Sequence, residues 1–144
     1  MTGPAAPPEI FSAAWAEACA RELNTRVSYR EAAATWEGAI ILELTTERED
    51  GSREVFLDLW HGECRAARSA DLSDVELARY VLRGSAGAWQ QVLSGRTPPL
   101  FAIMAGRLKL VKGALADLVP YSRAAGELVS AAIAIGGAFP EHLL

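Results

Sequence analysis

The spacing of hydrophobic residues predicts helices at both ends of the chain and strands between them. Between residues 8 and 23, apolar side chains recur every three or four positions, which indicates an amphipathic helix with proline in its first turn. The predicted apolar side carries Phe11, Ala14, Trp15, Ala18, Cys19 and Leu23. A second short helix is predicted over residues 28–35, because Ser28 and Glu31 have the spacing of a capping box.

The hydrophobic period changes to that of strands after residue 35. Residues 36–44 and 55–61 alternate between two faces. One face carries Ile40, Leu42, Leu44, Val55, Leu57 and Leu59, and the other carries Glu37, Ile41, Glu43, Phe56, Asp58 and Trp60. Turns at Asp50-Gly51 and at Gly62, the second leading into residues 63–68, join these strands as hairpins. Two successive hairpins predict an antiparallel meander.

Residues 71–83 permit two interpretations. Ser73 and Glu76 have the spacing of another capping box, which is typical of a helix start. Tyr80, Val81 and Leu82 are residues that favour strands. Local rules leave helix and strand equally open here.

The last 60 or so residues are predicted to be mainly helical. Helices are expected over 86–93, ended by Gly95, and over 100–105, begun by the Pro98-Pro99 pair. Residues 107–112 alternate as a short strand, and helical spacing returns from 115 to 136, with a kink or a new start at Pro120. The chain is therefore predicted to have an α+β fold, an antiparallel sheet with helices packed on one face.

Size and composition indicate one domain with an apolar surplus. The 144 residues are enough for a single core, and we expect a domain over 9–144 after a flexible, proline-containing tail over 1–8. The net charge of −4 argues against a surface that binds nucleic-acid phosphates. Hydrophobic residues make up 51% of the chain, so the surplus must fill a large core, a cavity or an interface.

Features that the sequence lacks help to predict the cellular compartment of the protein. The longest apolar stretch, residues 128–139, is shorter than the roughly 20 residues of a bilayer span. The N-terminal residues show no secretory signal. Cys19 and Cys64 are the two cysteines, and we predict that both remain reduced thiols. These observations predict a cytoplasmic protein.

The densest polar cluster is formed by Asp58, His61, Glu63 and Cys64. A small enzyme using Asp58, His61 and Glu63 is one alternative, and a metal site is another. The alternation of the strand places Asp58 and His61 on opposite faces, and the spacing offers only two ligands of the four that a structural zinc needs. We therefore predict ordinary hairpin residues, with no catalytic residue, metal or cofactor.

Residues 99–112 combine apolar and basic side chains. Phe101, Ile103 and Met104 make the predicted helix apolar, while Arg107, Lys109 and Lys112 make a basic strand edge. A solvated edge protected by charge is the favoured interpretation. The alternative is a local attraction for anionic lipid headgroups, and hence transient membrane contact.

Three stretches follow one another along the chain. They are Trp36-Glu-Gly-Ala-Ile-Ile-Leu-Glu-Leu44 with Val55-Phe-Leu-Asp-Leu-Trp60 and Gly62-Glu-Cys-Arg65; Tyr80-Val-Leu-Arg-Gly84 with Trp89-Gln-Gln-Val-Leu-Ser-Gly95; and residues 98–113 with Leu115-Ala-Asp-Leu118. In this order they resemble the sterol carrier protein type 2 (sterol-transfer) domain family. The resemblance covers roughly residues 10–135. It departs from the family at Ala114, where Asp usually follows the Lys-Gly pair.

The resemblance implies a five-stranded, mainly antiparallel sheet with helices on one face and an apolar tunnel between the layers. It also implies a strand over residues 76–83 and a carrier for fatty acids, acyl chains or sterols that needs no cofactor. The residues expected to line the tunnel are Leu93, Phe101, Met104, Leu108, Leu110, Leu118, Val129 and Ile133.

An interaction module is the alternative function. Both faces of the predicted sheet are partly apolar, so Ile41, Phe56 and Trp60 could form a partner or homodimer interface, as could the helix over 128–139. The two functions are compatible, because a lipid carrier can also form a homodimer.

Overall fold

The computed structural model describes residues 6–46 and 52–143, and in this part of the chain five strands form one sheet. The strands are β1 Ile40–Thr45, β2 Arg53–Trp60, β3 Glu63–Ser69, β4 Tyr80–Ser85 and β5 Lys109–Lys112. The α-helices are α1 Ala13–Thr25, α2 Val27–Ala32, α3 Leu72–Leu77, α4 Ala86–Leu93, α5 Pro99–Met104, α6 Leu115–Leu118 and α7 Ser122–Ile135. The predicted α+β class is confirmed.

The sheet has the strand order β3-β2-β1-β4-β5. The predicted meander of β1, β2 and β3 is confirmed, since each neighbouring pair is antiparallel. β4 pairs with β1 in parallel and with β5 antiparallel, so the sheet is mainly antiparallel with β5 at one edge. The register places Leu42 beside Val55 on one side and Leu82 on the other.

The main core lies between one face of the sheet and most of the helices. Leu44, Leu57 and Leu59 are fully buried on that face. The helix α1 packs Trp15 and Leu23 into the same core, because its apolar side repeats every three or four residues. The predicted inward face of the meander is therefore confirmed.

The first helix begins later than predicted. Its first turn is at Ala13 rather than near Pro8, because Phe11 has a left-handed backbone (φ 52°) and the Ser12 side chain caps the helix by accepting from the Trp15 N–H. Residues before it are held differently: the Pro8 carbonyl accepts a hydrogen bond from the Ala138 N–H at 2.8 Å. The N-terminal segment is thus paired with the end of the chain.

The predicted capping box of the second helix is wrong. The helix α2 follows α1 directly, and Arg26 precedes it without a side-chain cap. The Ser28 hydroxyl instead donates to the Glu127 carboxylate at 2.8 Å, which ties α2 to α7. A tertiary contact therefore takes the side chain that local rules assign to the helix start.

Residues 71–83 contain both a helix and a strand. The helix α3 is capped by Asp71 and Asp74 rather than by Ser73 and Glu76, since Asp71 accepts from the Asp74 N–H and Asp74 accepts from the Asp71 N–H. The strand β4 begins at Tyr80, four residues after the position that the family resemblance implies. The strand starts later because the helix α3 occupies residues Leu72–Leu77.

Other strand boundaries shift by a few residues. β1 begins at Ile40 rather than residue 36, and Glu37 makes only an isolated bridge with Trp60. β5 begins at Lys109, because the N–H groups of residues 107 and 108 donate to the Ala102 carbonyl in α5. The hairpin turn predicted at Asp50-Gly51 lies outside the described residues.

The second face of the sheet is partly covered within the chain. A small buried cluster on this face consists of Ile41, Phe56, Ala78 and Val81, and the segment around α3 covers it. Ile41 and Phe56 are therefore not available for the partner interface that the sequence suggested, and Trp60 is 38% exposed.

The C-terminal helices follow the predicted pattern. Pro120 lies in a 3₁₀ turn over Val119–Tyr121, which separates α6 from α7 as a new start. The helix α7 ends at Gly136, whose left-handed φ of 63° is a conformation that glycine adopts readily. None of the helices in the described ranges is long and apolar enough to cross a bilayer.

Candidate functional site

An apolar cavity of about 50 Å³ lies between the sheet and the helices α4, α5, α6 and α7. All of its lining side chains are aliphatic or aromatic. They are Trp36, Ile40, Leu42, Leu82, Trp89, Val92, Leu93, Pro99, Leu100, Ile103, Leu108, Leu118, Ala125, Leu128 and Val129. The site therefore offers a dry surface to an apolar ligand.

The helix α4 forms one wall because three apolar residues repeat at helical spacing. Trp89, Val92 and Leu93 fall on one side of α4 and are all buried. The Trp89 Nε1–H donates to the Glu43 carbonyl oxygen at 2.9 Å, which fixes α4 over β1. The start of the helix is capped by Ser85, whose hydroxyl accepts from the Ala88 N–H.

Close packing under α4 depends on a glycine in β4. A Cβ atom at Gly84 would lie 2.5 Å from Leu108 Cδ2, so a larger residue here would require the buried Leu108 side chain to move. Leu108 is buried and lines the cavity. This close approach brings the start of β5 against the sheet.

The helix α7 forms the opposite wall with a smaller residue among larger ones. Ala125, Leu128 and Val129 have the i, i+3, i+4 spacing of one helical side and line the cavity. Ala125 has the smallest side chain in the lining. Its short side chain leaves space that a larger residue would fill.

The cavity is smaller than a long acyl chain requires. Ligand pockets for small organic molecules usually measure about 300–1,000 Å³, whereas this cavity measures about 50 Å³. This cavity, in the part of the chain that the structure describes, is therefore shorter than the tunnel that the family resemblance implies. A long ligand would require the helices to move away from the sheet.

The eight residues predicted to line a tunnel fall into three groups. Leu93, Leu108, Leu118 and Val129 line the cavity. Leu110 is half-buried in β5 and packs against the core. Phe101, Met104 and Ile133 are 61%, 72% and 52% exposed.

Several lining residues were not selected from the sequence. Ile40, Leu42 and Leu82 line the cavity from β1 and β4, and Leu100 and Ile103 line it from α5. The strand alternation already placed Ile40 and Leu42 on one face. The side of α5 that faces inward could not be predicted, because all six of its residues are apolar.

A groove of about 330 Å³ lies beside the cavity, at the C-terminal ends of α4 and α7. Leu93 lines both spaces and so separates them, and Ile133 lines the groove. The Trp15 Nε1–H is buried next to Gly137, another groove residue, and has no hydrogen-bond partner among the described residues. The groove is the more open of the two spaces.

The predicted polar cluster does not converge on one point. Arg65 donates to both carboxylate oxygens of Asp58, at 3.1 and 3.2 Å. His61 contacts the Glu37 carboxylate at 3.1 Å, and Cys64 is buried on the core side. Within the described ranges, no group of three acidic, histidine or cysteine side chains is placed to hold a metal ion.

Both cysteines are free, buried thiols. Burial, with a smaller contribution from nearby negative groups, raises the pKa of Cys19 and of Cys64 from 9.0 to about 12. Since the thiolate is the reactive form, both residues are expected to be inert in the folded protein.

We expect neither cysteine to react with iodoacetamide at pH 8 in the native protein, and both to react in concentrated urea; mass spectrometry counts the adducts. The unfolded chain loses these protons near pH 9 and the folded chain retains them to about pH 12. The free energy of unfolding should therefore fall as the pH rises above 9. Rapid labelling of either cysteine in the native protein would contradict the expected inertness of the two thiols.

Comparison with known proteins identifies the family. The profile of the SCP-2 sterol transfer family matches residues 17–116. A crystal structure of a sterol carrier protein 2 is 44% identical, with a TM-score of 0.76 over 86% of this chain and 97% of that chain. No curated protein gives a match of comparable significance.

Two further structures support the fold. The solution structure of a conserved hypothetical protein of Thermus thermophilus, described as a possible sterol carrier protein, is 39% identical, with a TM-score of 0.80 over 96% of this chain and 97% of that chain. The apo form of sterol carrier protein 2 from Yarrowia lipolytica shares the fold at 19% identity, with a TM-score of 0.56 over 81% of this chain and 87% of that chain. The profile spans more than half of the chain, and the predicted resemblance is confirmed: the chain belongs to the SCP-2 sterol transfer family, whose members bind and transfer lipids.

Proposed function

We propose that this chain is a non-catalytic lipid carrier that holds an acyl chain or a sterol-like body between the sheet and the helices α4, α5 and α7. The observation that carries the proposal is the cavity whose lining is wholly aliphatic and aromatic. We also propose a cytoplasmic location, in keeping with the two free thiols.

The driving force for binding is removal of the ligand from water. Each methylene that enters an apolar site contributes about 0.8 kcal/mol, so a long chain gains enough to offset its own ordering. Part of this gain must separate the helices from the sheet, because the cavity of about 50 Å³ is short of the ligand's volume. The carrier therefore binds by widening this cavity.

The helix α5 is the element best suited to move. It has six residues and no side-chain cap; its Ala102 is buried, and its Leu100 and Ile103 are partly buried against the core. Gly95 and Gly106, which flank α5, both have left-handed backbones (φ 81° and 77°). A short helix between two glycine turns can shift once the hydrogen bonds from the N–H groups of Arg107 and Leu108 to the Ala102 carbonyl lengthen.

Lipid uptake tests the proposal. The delipidated protein is titrated with a fluorescent fatty acid and, separately, with a fluorescent sterol. We expect saturable one-to-one binding of at least one probe, with a dissociation constant in the micromolar range or below, and a higher melting temperature at saturation. Native mass spectrometry should show the same complex. Absence of saturable uptake of both probes would contradict the proposal.

A further inference from the structure

We infer that the docking edge, defined as residues 96–112, binds the surface of an anionic lipid bilayer and thereby brings the cavity wall against the membrane. The inference rests on the proposed function, since a carrier must meet the membrane to load its ligand. Neither the family match nor the cavity assigns this surface.

The charge of the chain is divided unevenly. Residues 77–116 contain six Arg and Lys residues and no Asp or Glu, whereas the other 104 residues hold eight cations and all 18 acids. A protein of net charge −4 therefore has one segment of net charge +6, and the docking edge itself holds four cations and no acid. Because bilayer electrostatics act over about 10 Å, a local cluster can attract an anionic surface that the whole protein would repel.

The cations nearest α5 are free to meet phosphates. Arg96, Arg107 and Lys109 are exposed and have no ion pair or side-chain hydrogen bond to the described residues. By contrast, Arg83 pairs with Glu43 at 2.9 Å, and the Lys112 ammonium donates to the Val75 carbonyl at 2.8 Å. The Arg107 N–H donates to the Ala102 carbonyl at 2.9 Å, which holds Arg107 against α5.

Two large apolar side chains lie among these cations. Phe101 and Met104 are 61% and 72% exposed and, being three residues apart, share one side of α5. Exposed apolar anchors beside Lys and Arg are the combination by which peripheral proteins bind anionic membranes. Free phosphate or nucleic acid would engage the cations but would leave Phe101 and Met104 in water.

The helix α5 joins the anchor to the cavity. An adjacent side of the helix carries Leu100 and Ile103, which line the cavity. Insertion of Phe101 and Met104 into the bilayer would therefore pull on the same short helix that lines the cavity. Docking and widening become one movement, and the ligand enters beside α5 without crossing water.

Vesicle binding tests the docking edge. The full chain is sedimented with vesicles of phosphatidylcholine alone or mixed with phosphatidylglycerol. We expect binding to the anionic vesicles that weakens as salt is added. The paired changes Phe101→Ser with Met104→Ser, and Arg107→Glu with Lys109→Glu, should each weaken it about tenfold or more.

Matched controls change exposed residues elsewhere. Leu72, 90% exposed on α3, is replaced by Ser, and Arg21 and Arg123, exposed on α1 and α7, are replaced by Glu. These controls should retain vesicle binding to within about twofold, apart from the general effect of net charge. Equal loss in controls and test variants, binding without anionic lipid, or no vesicle binding at all would overturn the inference.

Uptake of the fluorescent probes from solution separates the two proposals. We expect the variants at Phe101 and Met104 to take up a probe from solution with unchanged affinity, because these side chains do not line the cavity. If the probe is taken up normally but vesicle binding does not depend on the residues of the docking edge, the docking inference alone is overturned. No uptake by the wild type defeats the proposed function, whatever the vesicles show.

Discussion

Replacement of Ala125 by Leu is expected to weaken lipid binding roughly fiftyfold while leaving the fold intact. Ala125 has the smallest side chain that lines the cavity, and Leu adds three carbons at that point. These carbons would occupy the space of about three ligand methylenes, and at about 0.8 kcal/mol each the ligand loses about 2.4 kcal/mol. The dissociation constant of the fluorescent fatty acid measures the loss.

The matched control for this change is Ala134→Leu. Ala134 is exposed on the same helix, so the substitution has the same helix propensity and adds the same carbons to solvent. Filling a cavity of about 50 Å³ should leave the melting temperature of the ligand-free A125L protein equal or higher. Equal affinities for both variants would show that the ligand does not lie beside Ala125.

Replacement of Trp89 by Ala is expected to lower the free energy of unfolding by about 3–5 kcal/mol. Trp89 is 2% exposed, donates to the Glu43 carbonyl and contacts Phe11 edge-on, with 5.0 Å between the ring centres. Its removal leaves a large void and an unpaired carbonyl next to the cavity. Urea unfolding followed by circular dichroism measures the difference.

The variant Trp89→Phe separates the two contributions. It retains an aromatic ring in the core and loses only the indole N–H and part of the ring, so we expect a cost of about 1–2 kcal/mol. A W89A protein as stable as the wild type would mean that α4 is not anchored to β1 through this side chain. The variant W89F keeps the measurement informative if W89A does not fold.

Periodic segments could be predicted from the sequence, because the spacing of their apolar residues alone decides which side meets the core. The apolar spacing of α4 and α7 and the alternation of β1 and β2 each report which side meets the core. The predicted tunnel residues Leu93 and Val129, taken from such stripes, line the cavity. The hairpin of β2 and β3 could also be predicted, from the turn at Gly62.

Short segments could not be predicted, because tertiary contacts decide them. Ser28 forms a hydrogen bond to Glu127 rather than capping α2. The helix α3 is capped by Asp71, although the spacing of Ser73 from Glu76 also matches a capping box. In α5, five apolar residues in a row leave its orientation undetermined, and the structure turns Phe101 outward. The size of the cavity is likewise invisible to sequence patterns, since a filled core and a hollow one need the same residues.

The most direct test of the central claim is to locate a bound lipid by methyl NMR. A stearate that carries a nitroxide near its methyl end broadens the signals of methyl groups close to it. The account predicts saturable broadening of Leu82, Leu93 and Val129, which line the cavity, with much weaker effects on Ile41 and Val81, buried on the opposite face of the sheet. Broadening strongest at Ile41 and Val81, or no saturable broadening at all, would contradict it.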